Sequence, residues 1–291
     1  MIPQKGLQAR SSTVLSSLLK RMPENLRSSY IKFLPELIAI EVSLEKNHNP
    51  PLVDLSLKEI LGQIDDSWYI ETFSKFSKSD LLFYLSLFPE KKRASLAERF
   101  AIQPPFYLFS EKLELYALNL LFGELFPDDP PLPLSYLPDS PLAFLCTASG
   151  EKLHKLSFYL GLFDISLELK SVINGSILKH IEKTLFPDEI NFCREISEFR
   201  HPLSLGQMGL TGWNEDSDLL RKVIFERGLY RLSIALSEAS PDLIWYVIHL
   251  LNKESTLKLE KLPKTSIDAK AINIVMEQTL FAWKGLCTVL D

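Results

Sequence analysis

The sequence predicts an all-α protein built of stacked helical hairpins in two subdomains, with no substantial sheet. Three observations carry this. First, the stretch 79–100, SDLLFYLSLFPEKKRASLAERF, returns without a gap at 241–262, PDLIWYVIHLLNKESTLKLEKL. Asp80 matches Asp242, Leu81 matches Leu243, Phe83 matches Trp245, Tyr84 matches Tyr246, and Glu98 matches Glu260. Second, a third copy fits at 15–34, where Met22-Pro23-Glu24 falls on Phe88-Pro89-Glu90 and Arg27 falls on Arg93. Recurring helix pairs that cannot bury their apolar faces alone stack on one another. Third, 18 prolines stand against 11 glycines. That balance suits many helices, each stopped by a proline, and no alternating segment of useful length reads as a strand.

Within each copy the pattern is helix, short turn, helix. Leu81, Leu85 and Phe88 recur at helical spacing, as do Leu243, Val247 and Leu250, so one face of each first helix is apolar. These six, with Leu96, Phe100 and Leu262, are the expected core. Pro89 suits the first turn of its second helix, where the missing N–H costs nothing.

Along the chain, residues 1–10 form a tail and Ser11 to Leu34 the first helix pair. Pro35 opens a helix to about Leu44, and Lys46 to Pro51 is a polar loop. Ser56 caps the next helix, with Glu59 as its capping-box partner. Asp65-Asp66-Ser67 opens a short helix carrying Trp68 and Ile70. After the first full pair come Pro104-Pro105, and Ser110 then caps a long helix from Glu111 to Phe126. The segment 127–141, PDDPPLPLSYLPDSP, has six prolines and cannot be helical. It reads as a linker or as an extended strap, and its Leu132, Leu134, Tyr136 and Leu137 favour the strap. The expected division is an N-terminal helical subdomain over 1–126, this segment over 127–141, and a C-terminal helical subdomain over 142–291.

The second subdomain opens with helices at 142–148 and 150–163. Leu167 to Phe186 leads into Phe186-Pro187-Asp188-Glu189, an echo of Phe88-Pro89-Glu90. A glycine-rich segment, HPLSLGQMGLTGWNEDS, follows a helix through Phe199. Asn214 or Ser217 caps the helix bearing Leu220, Val223, Ile224 and Arg227. Ser266 caps the last helix, where Ile272, Val275, Met276, Leu280, Trp283 and Leu286 form an apolar stripe.

Signs of chemistry are few. His48, His154, His180, His201 and His249 sit at no metal-ligand spacing, and no cysteine joins them at zinc-site spacing. No serine-hydrolase elbow, zinc-protease or phosphate-loop motif is present. No catalytic residue, cofactor or metal is therefore assigned. Gly206, Gly209 and Gly212 recur every third residue, but no strand precedes them, so they read as an interhelical loop or a contact loop rather than a phosphate cradle. Asp65-Asp66 and Asp128-Asp129 read as helix caps rather than paired catalytic carboxylates. Lys91-Lys92-Arg93 opens a helix against its dipole and needs another reason to be there.

The formal charge of −5 argues against a nucleic-acid partner, which wants a basic face. Three scattered cysteines fit a reducing compartment. The first fifteen residues lack a signal-peptide apolar region, and no run approaches the roughly 20 residues of a membrane span. The expectation is a cytoplasmic protein that acts by binding other proteins. The expected contact residues lie in the C-terminal half: Met208 and Trp213 in the glycine-rich segment, Arg227 and Arg231 four apart on one helix face, and Trp283 on the last helix. Tryptophan and arginine are the commonest interface anchors.

The pattern of apolar helix, apolar-Pro-Glu and following arginine resembles the armadillo-like helical units of flagellar motor switch proteins of the FliG type. It also resembles the SctK-type sorting-platform accessory proteins of type III secretion systems. The residues are Met22-Pro23-Glu24-Asn25-Leu26-Arg27, Phe88-Pro89-Glu90-Lys91-Lys92-Arg93 and, without the proline, Leu250 to Leu262. The resemblance covers about a third of the chain. The E-H-P-Q motif of the rotor proteins has Arg200-His201-Pro202-Leu203 as its nearest string here, so the resemblance points to a secretion-system relative. It implies a protein without catalytic activity that links a membrane ring to cytosolic export components, docked at the inner membrane through that complex. A helical scaffold or chaperone-like adaptor of an unrelated complex, and an all-α enzyme, are the alternatives.

Overall fold

A computed structural model describes residues 11, 14–19, 22–34, 53–127, 130–170, 175–197, 203, 205–206, 210, 216–261 and 268–289. Every regular element among them is an α- or 3-10 helix and none is a strand, so the protein is all-α. The helix expected from Pro35, the Ser266 cap and Leu262 lie outside the described residues. The chain divides into two compact units, Met1–Thr147 with Ser240–Val247, and Ala148–Ala239 with Ile248–Asp291. The division thus runs after Thr147 and not through the prolines, and the first unit takes in a segment the sequence expectation placed in the C-terminal subdomain.

In the first unit, α1 (Glu24–Ile31) starts behind Pro23. Ser56 opens α2 (Leu57–Gln63) with a full capping box, its side chain and backbone N–H both engaged with Glu59. Asp65 caps a 3-10 turn, Asp66–Trp68, through the Ser67 N–H, and α3 (Ile70–Phe73) follows. Ser77 caps α4 (Lys78–Leu85). Pro89 is the N-cap of α5 (Glu90–Arg99), one position earlier than the first turn, with φ −54° and ψ 151°. Ser110 stands at the N-cap of α6 (Glu111–Leu125) but its hydroxyl makes no capping bond.

These short helices enclose a core in which Leu61, Tyr69, Phe73, Leu85, Leu87, Leu96 and Leu121 are fully buried. Leu81 and Phe88 join them, whereas Phe100 is only partly buried at the core's edge. Tyr69 satisfies its buried hydroxyl on the Leu61 carbonyl. Lys92 lies over the Tyr69 ring, 4.8 Å from its centroid, and binds Asp66 and the Ile64 carbonyl. Arg93 covers Phe106 at 4.8 Å. Two of the three cations that oppose the α5 dipole therefore have local partners.

The described part of the proline-rich segment, 130–141, belongs to this unit and is non-helical apart from a 3-10 turn at Leu134–Tyr136. Leu134 is buried. The Leu132 N–H donates to Asp242 and its carbonyl accepts from the Tyr246 hydroxyl. Ser135 donates from backbone and side chain to Asp54, and its carbonyl accepts from Ser17. Main-chain groups that prolines leave without helical partners are thus held by side chains from distant parts of the sequence.

The second unit is arranged around α7 (Gly150–Leu169), capped by Ser149. A 3-10 stretch, Ala143–Thr147, precedes it instead of the expected helix, and α7 itself runs past the expected end at 163. After it come α8 (Gly175–Thr184), α9 (Pro187–Ser197) and α10 (Ser217–Ala235). Asp216, not Asn214 or Ser217, caps α10, its carboxylate accepting from Asp218 and Leu219. Then come α11 (Pro241–Leu250), whose first turns belong to the first unit, α12 (Lys253–Lys261) and α13 (Ala269–Val289). Helices α9, α10 and α13 pack on α7. Helices α7 and α10 approach closely, with Gly161 facing the Ile224 carbonyl and Gly228 facing the Ser157 carbonyl.

Both long copies of the repeat are helix–turn–helix. Leu81 and Leu243, Leu85 and Val247, and Phe88 and Leu250 are buried in matching pairs. The turns differ. Four residues separate α4 from α5, whereas α11 runs three positions further and leaves two residues before α12. Without a proline there, Asn252 does the capping, accepting from the Ser255 N–H at 2.8 Å.

Candidate protein-binding face

The sequence of α6, EKLELYALNLLFGEL, is apolar at more positions than one helical face can bury. Ala117, Leu118 and Leu121 point into the core. Leu113, Tyr116 and Leu120, spaced i, i+3 and i+7, form a second stripe that is 45 %, 63 % and 45 % exposed. Gly123 extends it with open space where a side chain would be. A helix that is apolar on both sides is either buried or partnered.

An aromatic run adjoins this stripe. Phe76 stacks on Tyr84 at 5.2 Å, Tyr84 meets Phe83 edge-on at 5.3 Å, and Phe83 contacts Phe109 at 5.0 Å and Tyr107 at 6.4 Å. Tyr84 joins the run to α6. Its phenol pKa is pushed up first by burial and then by Glu124, Asp80 and Tyr116. Tyr107 and Leu108 are exposed, Leu108 completely. Exposed apolar groups that cluster in this way mark interaction sites, and tyrosine is a favoured anchor because it buries much area with little rotamer loss.

The residues singled out from sequence do not form a comparable surface. Met208 and Trp213 lie outside the described residues. Arg231 is 0 % exposed. Its guanidinium forks onto Asp164, itself buried, at 2.7 and 3.2 Å, and also donates to Gln278 on α13 and to the Leu203 carbonyl. The expected interface arginine is therefore a core ion pair. Arg227 is half-buried and donates to the Leu205 carbonyl at 3.0 Å. Trp283 is half-buried as well. Glu168 accepts from the Leu210 N–H at 2.7 Å. What Arg227, Arg231 and Glu168 share is a hold on the main chain of the glycine-rich segment, in which Gly206 takes φ +99°, a conformation that favours glycine.

Several polar groups elsewhere have structural partners. Asp65 caps and Asp66 pairs with Lys92, while Asp128 and Asp129 lie outside the described residues. Glu189, in the Phe186-Pro187 echo, binds the Phe186 N–H and takes a two-bond fork from Arg221 at 2.8 and 2.9 Å. Arg221 also lies over the Phe158 and Phe186 rings. His154 stacks on Phe225 at 4.2 Å, and burial, followed by Arg221, holds its pKa down. Among the described residues no group of histidine, cysteine and carboxylate side chains could hold a metal ion, and no helix is long and apolar enough to cross a membrane.

Burial pushes the Cys146 and Cys193 thiols up to about 12, whereas Cys287 is half-buried on α13. A thiol reagent at pH 8 is expected to modify Cys287 well ahead of the other two, because only the thiolate attacks. Labelling followed by peptide mapping checks this; early modification of Cys146 would contradict the burial described.

No family model, curated protein or solved structure matches this chain.

Proposed function

We propose that this protein is a non-catalytic helical adaptor that binds protein partners through the α6 face. The observation that carries the reading is the second apolar stripe on α6, Leu113, Tyr116 and Leu120, beside the aromatic run from Phe76 to Tyr107. Following the motif resemblance, the partners are a membrane ring and cytosolic export components of a type III secretion or flagellar-like apparatus, and the site of action is the cytoplasmic face of that machine. The finer fold reading, armadillo-like stacking of hairpins, belongs to the same proposal and is motivated by the two helix–turn–helix copies, α4–α5 and α11–α12. The contact region moves from the C-terminal half to the first unit, because Arg231 is committed to the core.

A photo-crosslinking residue placed at Leu113 or Leu120 in the source cell tests this. The expected adducts contain components of a secretion or flagellar machine. Adducts confined to an unrelated complex would overturn the secretion assignment and favour the general scaffold. Absence of any adduct, with normal melting of the substituted chain, would overturn the interface itself.

A further inference from the structure

We infer that residues 1–34 hold the protein directly to an anionic lipid bilayer, with α1 lying in the plane of the surface and Leu26, Tyr30 and Phe33 turned toward the acyl chains. This is independent of the α6 face and adds a lipid contact to the protein contacts proposed above.

The first observation is an uncovered apolar edge. Leu26, Tyr30 and Phe33 are spaced i, i+4 and i+7 along α1 and the turn after it, and they are 48 %, 53 % and 86 % exposed. Lys32, the C-cap, keeps helical backbone angles, φ −64° and ψ −21°, so Phe33 continues the stripe. Away from the stripe the helix is polar, with Asn25, Ser28 and Ser29 exposed. Successive side chains turn by about 100°, which places half-buried Arg27 and exposed Lys32 on opposite flanks of the stripe. An apolar edge between cationic flanks is the pattern of a helix that lies in a membrane surface. Long basic side chains then reach up to the headgroups while the apolar ones point below them. Tyr30 suits that depth, because its ring is apolar and its hydroxyl polar. At 1.5 Å per residue the stripe is about 10 Å long, so it lies along the surface rather than across the bilayer.

The second observation is charge. Residues 1–34 carry Lys5, Arg10, Lys20, Arg21, Arg27 and Lys32 against Glu24, which is 6 − 1 = +5. The whole chain is −5, so residues 35–291 carry −10. The exposed stripe therefore belongs to the one strongly basic segment of an otherwise acidic protein. An anionic leaflet attracts Lys and Arg through a diffuse potential, by their number rather than by their exact placement. The six cations here are scattered along the sequence and opposed by a single carboxylate, which suits such a surface. Protein partners that read charge do so through matched patches, and a nucleic acid has no apolar layer to receive Phe33. The bilayer offers negative charge with an apolar layer beneath it, and so meets both observations. The same surface repels the acidic remainder, which confines the contact to residues 1–34.

Three apolar side chains bury little area, and binding that combines a small apolar area with a basic patch is reversible. It is expected to weaken as salt screens the charges.

Flotation of the full chain with vesicles tests this. The wild type is expected to float with vesicles of phosphatidylglycerol mixed into phosphatidylcholine, less so at high salt, and not with phosphatidylcholine alone. Tyr30→Ser with Phe33→Ser is expected to lower the partition about tenfold, and Lys32→Gln about fivefold, the worth of one charge at such a surface. Leu113→Ser with Leu120→Ser, on α6, is expected to bind as wild type does. All of these side chains are exposed, and an unchanged melting curve confirms folding. In Phe33→Trp, brominated acyl chains are expected to quench more fluorescence than in the wild type; no added quenching overturns the insertion of the stripe. Equal binding to both kinds of vesicle, or binding to neither, overturns the inference. So does full binding by the Tyr30 and Phe33 double variant, which would mean adsorption by charge alone, and so does loss of binding in the α6 variant. A wild type that ignores vesicles but binds polyglutamate would assign the basic segment to an acidic protein and overturn the inference too. Crosslinks from Leu113 test the α6 reading separately: adducts without vesicle binding overturn the lipid contact alone, and vesicle binding without adducts supports it while overturning the adaptor face.

Discussion

Replacing Gly228 with alanine is expected to destabilise the second unit by about 3 kcal/mol, the upper end of ordinary overpacking costs. A Cβ on Gly228 would sit 1.4 Å from the Ser157 carbonyl oxygen and 2.5 Å from its carbon, and one on Gly161 would sit 1.9 Å from the Ile224 carbonyl oxygen. These are backbone atoms of a facing helix and no rotamer change moves them. To admit the methyl group, α7 and α10 must separate, which loosens the buried side chains on both, among them Leu160, Ile165, Ile224 and Leu232. The sign makes the test informative. Within a helix, glycine to alanine gains about 1 kcal/mol from propensity alone, so a loss must come from packing. Gly123→Ala on α6 is the matching control. Its added Cβ meets nothing within 4 Å, and a gain of about 0.5–1 kcal/mol is expected there. Gly161→Ala and Gly228→Ala share one helix crossing, so their combined cost should fall short of the sum. Urea denaturation of the four variants checks each expectation; a Gly228→Ala protein as stable as wild type would mean that the two helices do not approach as described.

The helices were legible because their signals are local. Leu81, Leu85 and Phe88 announce one face of α4, and Ser56 with Glu59 announces the start of α2, using residues no more than seven positions apart. The same locality explains the misses. Asp216 lies between the two capping candidates, Asn214 and Ser217, and all three are acceptable cap residues. Phe100 matches its buried neighbours in type, but its place at the end of α5 leaves it at the core's edge. On α13 the buried stripe includes Gln278 and Thr279, which an apolar count passes over in favour of Met276, Leu280 and Trp283.

The candidate face was visible in part. The α6 sequence has leucine or an aromatic residue on every side, and that surplus is itself a signal of a second partner. It is weak in sequence because only the fold says which of the two apolar sides the core takes. The arginines show the opposite failure. Arg227 and Arg231, one turn apart, look alike as side chains on a helix surface. Which of them is buried depends on Asp164, 67 positions away, and on Gln278, 47 positions away, and no local pattern links these residues.

The difference between those two arginines is therefore the sharpest expectation for the second unit. Arg231→Ala is expected to cost about 3–5 kcal/mol, because it leaves the buried Asp164 carboxylate without a counter-charge. The wild-type guanidinium also serves the buried Gln278 and the part-buried Leu203 carbonyl, so its loss takes a donor from two further acceptors. Arg227→Ala removes the half-buried bond to the Leu205 carbonyl, and is expected to cost about 1 kcal/mol. Sequence spacing treats the pair as one interface site whose removal would leave stability unchanged. The structure instead separates the two substitutions by several-fold in free energy. Chemical denaturation of each single variant measures this directly. A second comparison isolates the electrostatic cause: Asp164→Leu combined with Arg231→Met removes both charges and keeps most of the volume, and is expected to recover much of the stability that either single change loses. If the double variant is no better than Arg231→Ala, packing and the bonds to Gln278 and Leu203 dominate over the uncompensated charge. If Arg231→Ala melts as wild type does, Arg231 is not the buried centre that joins α7, α10 and α13.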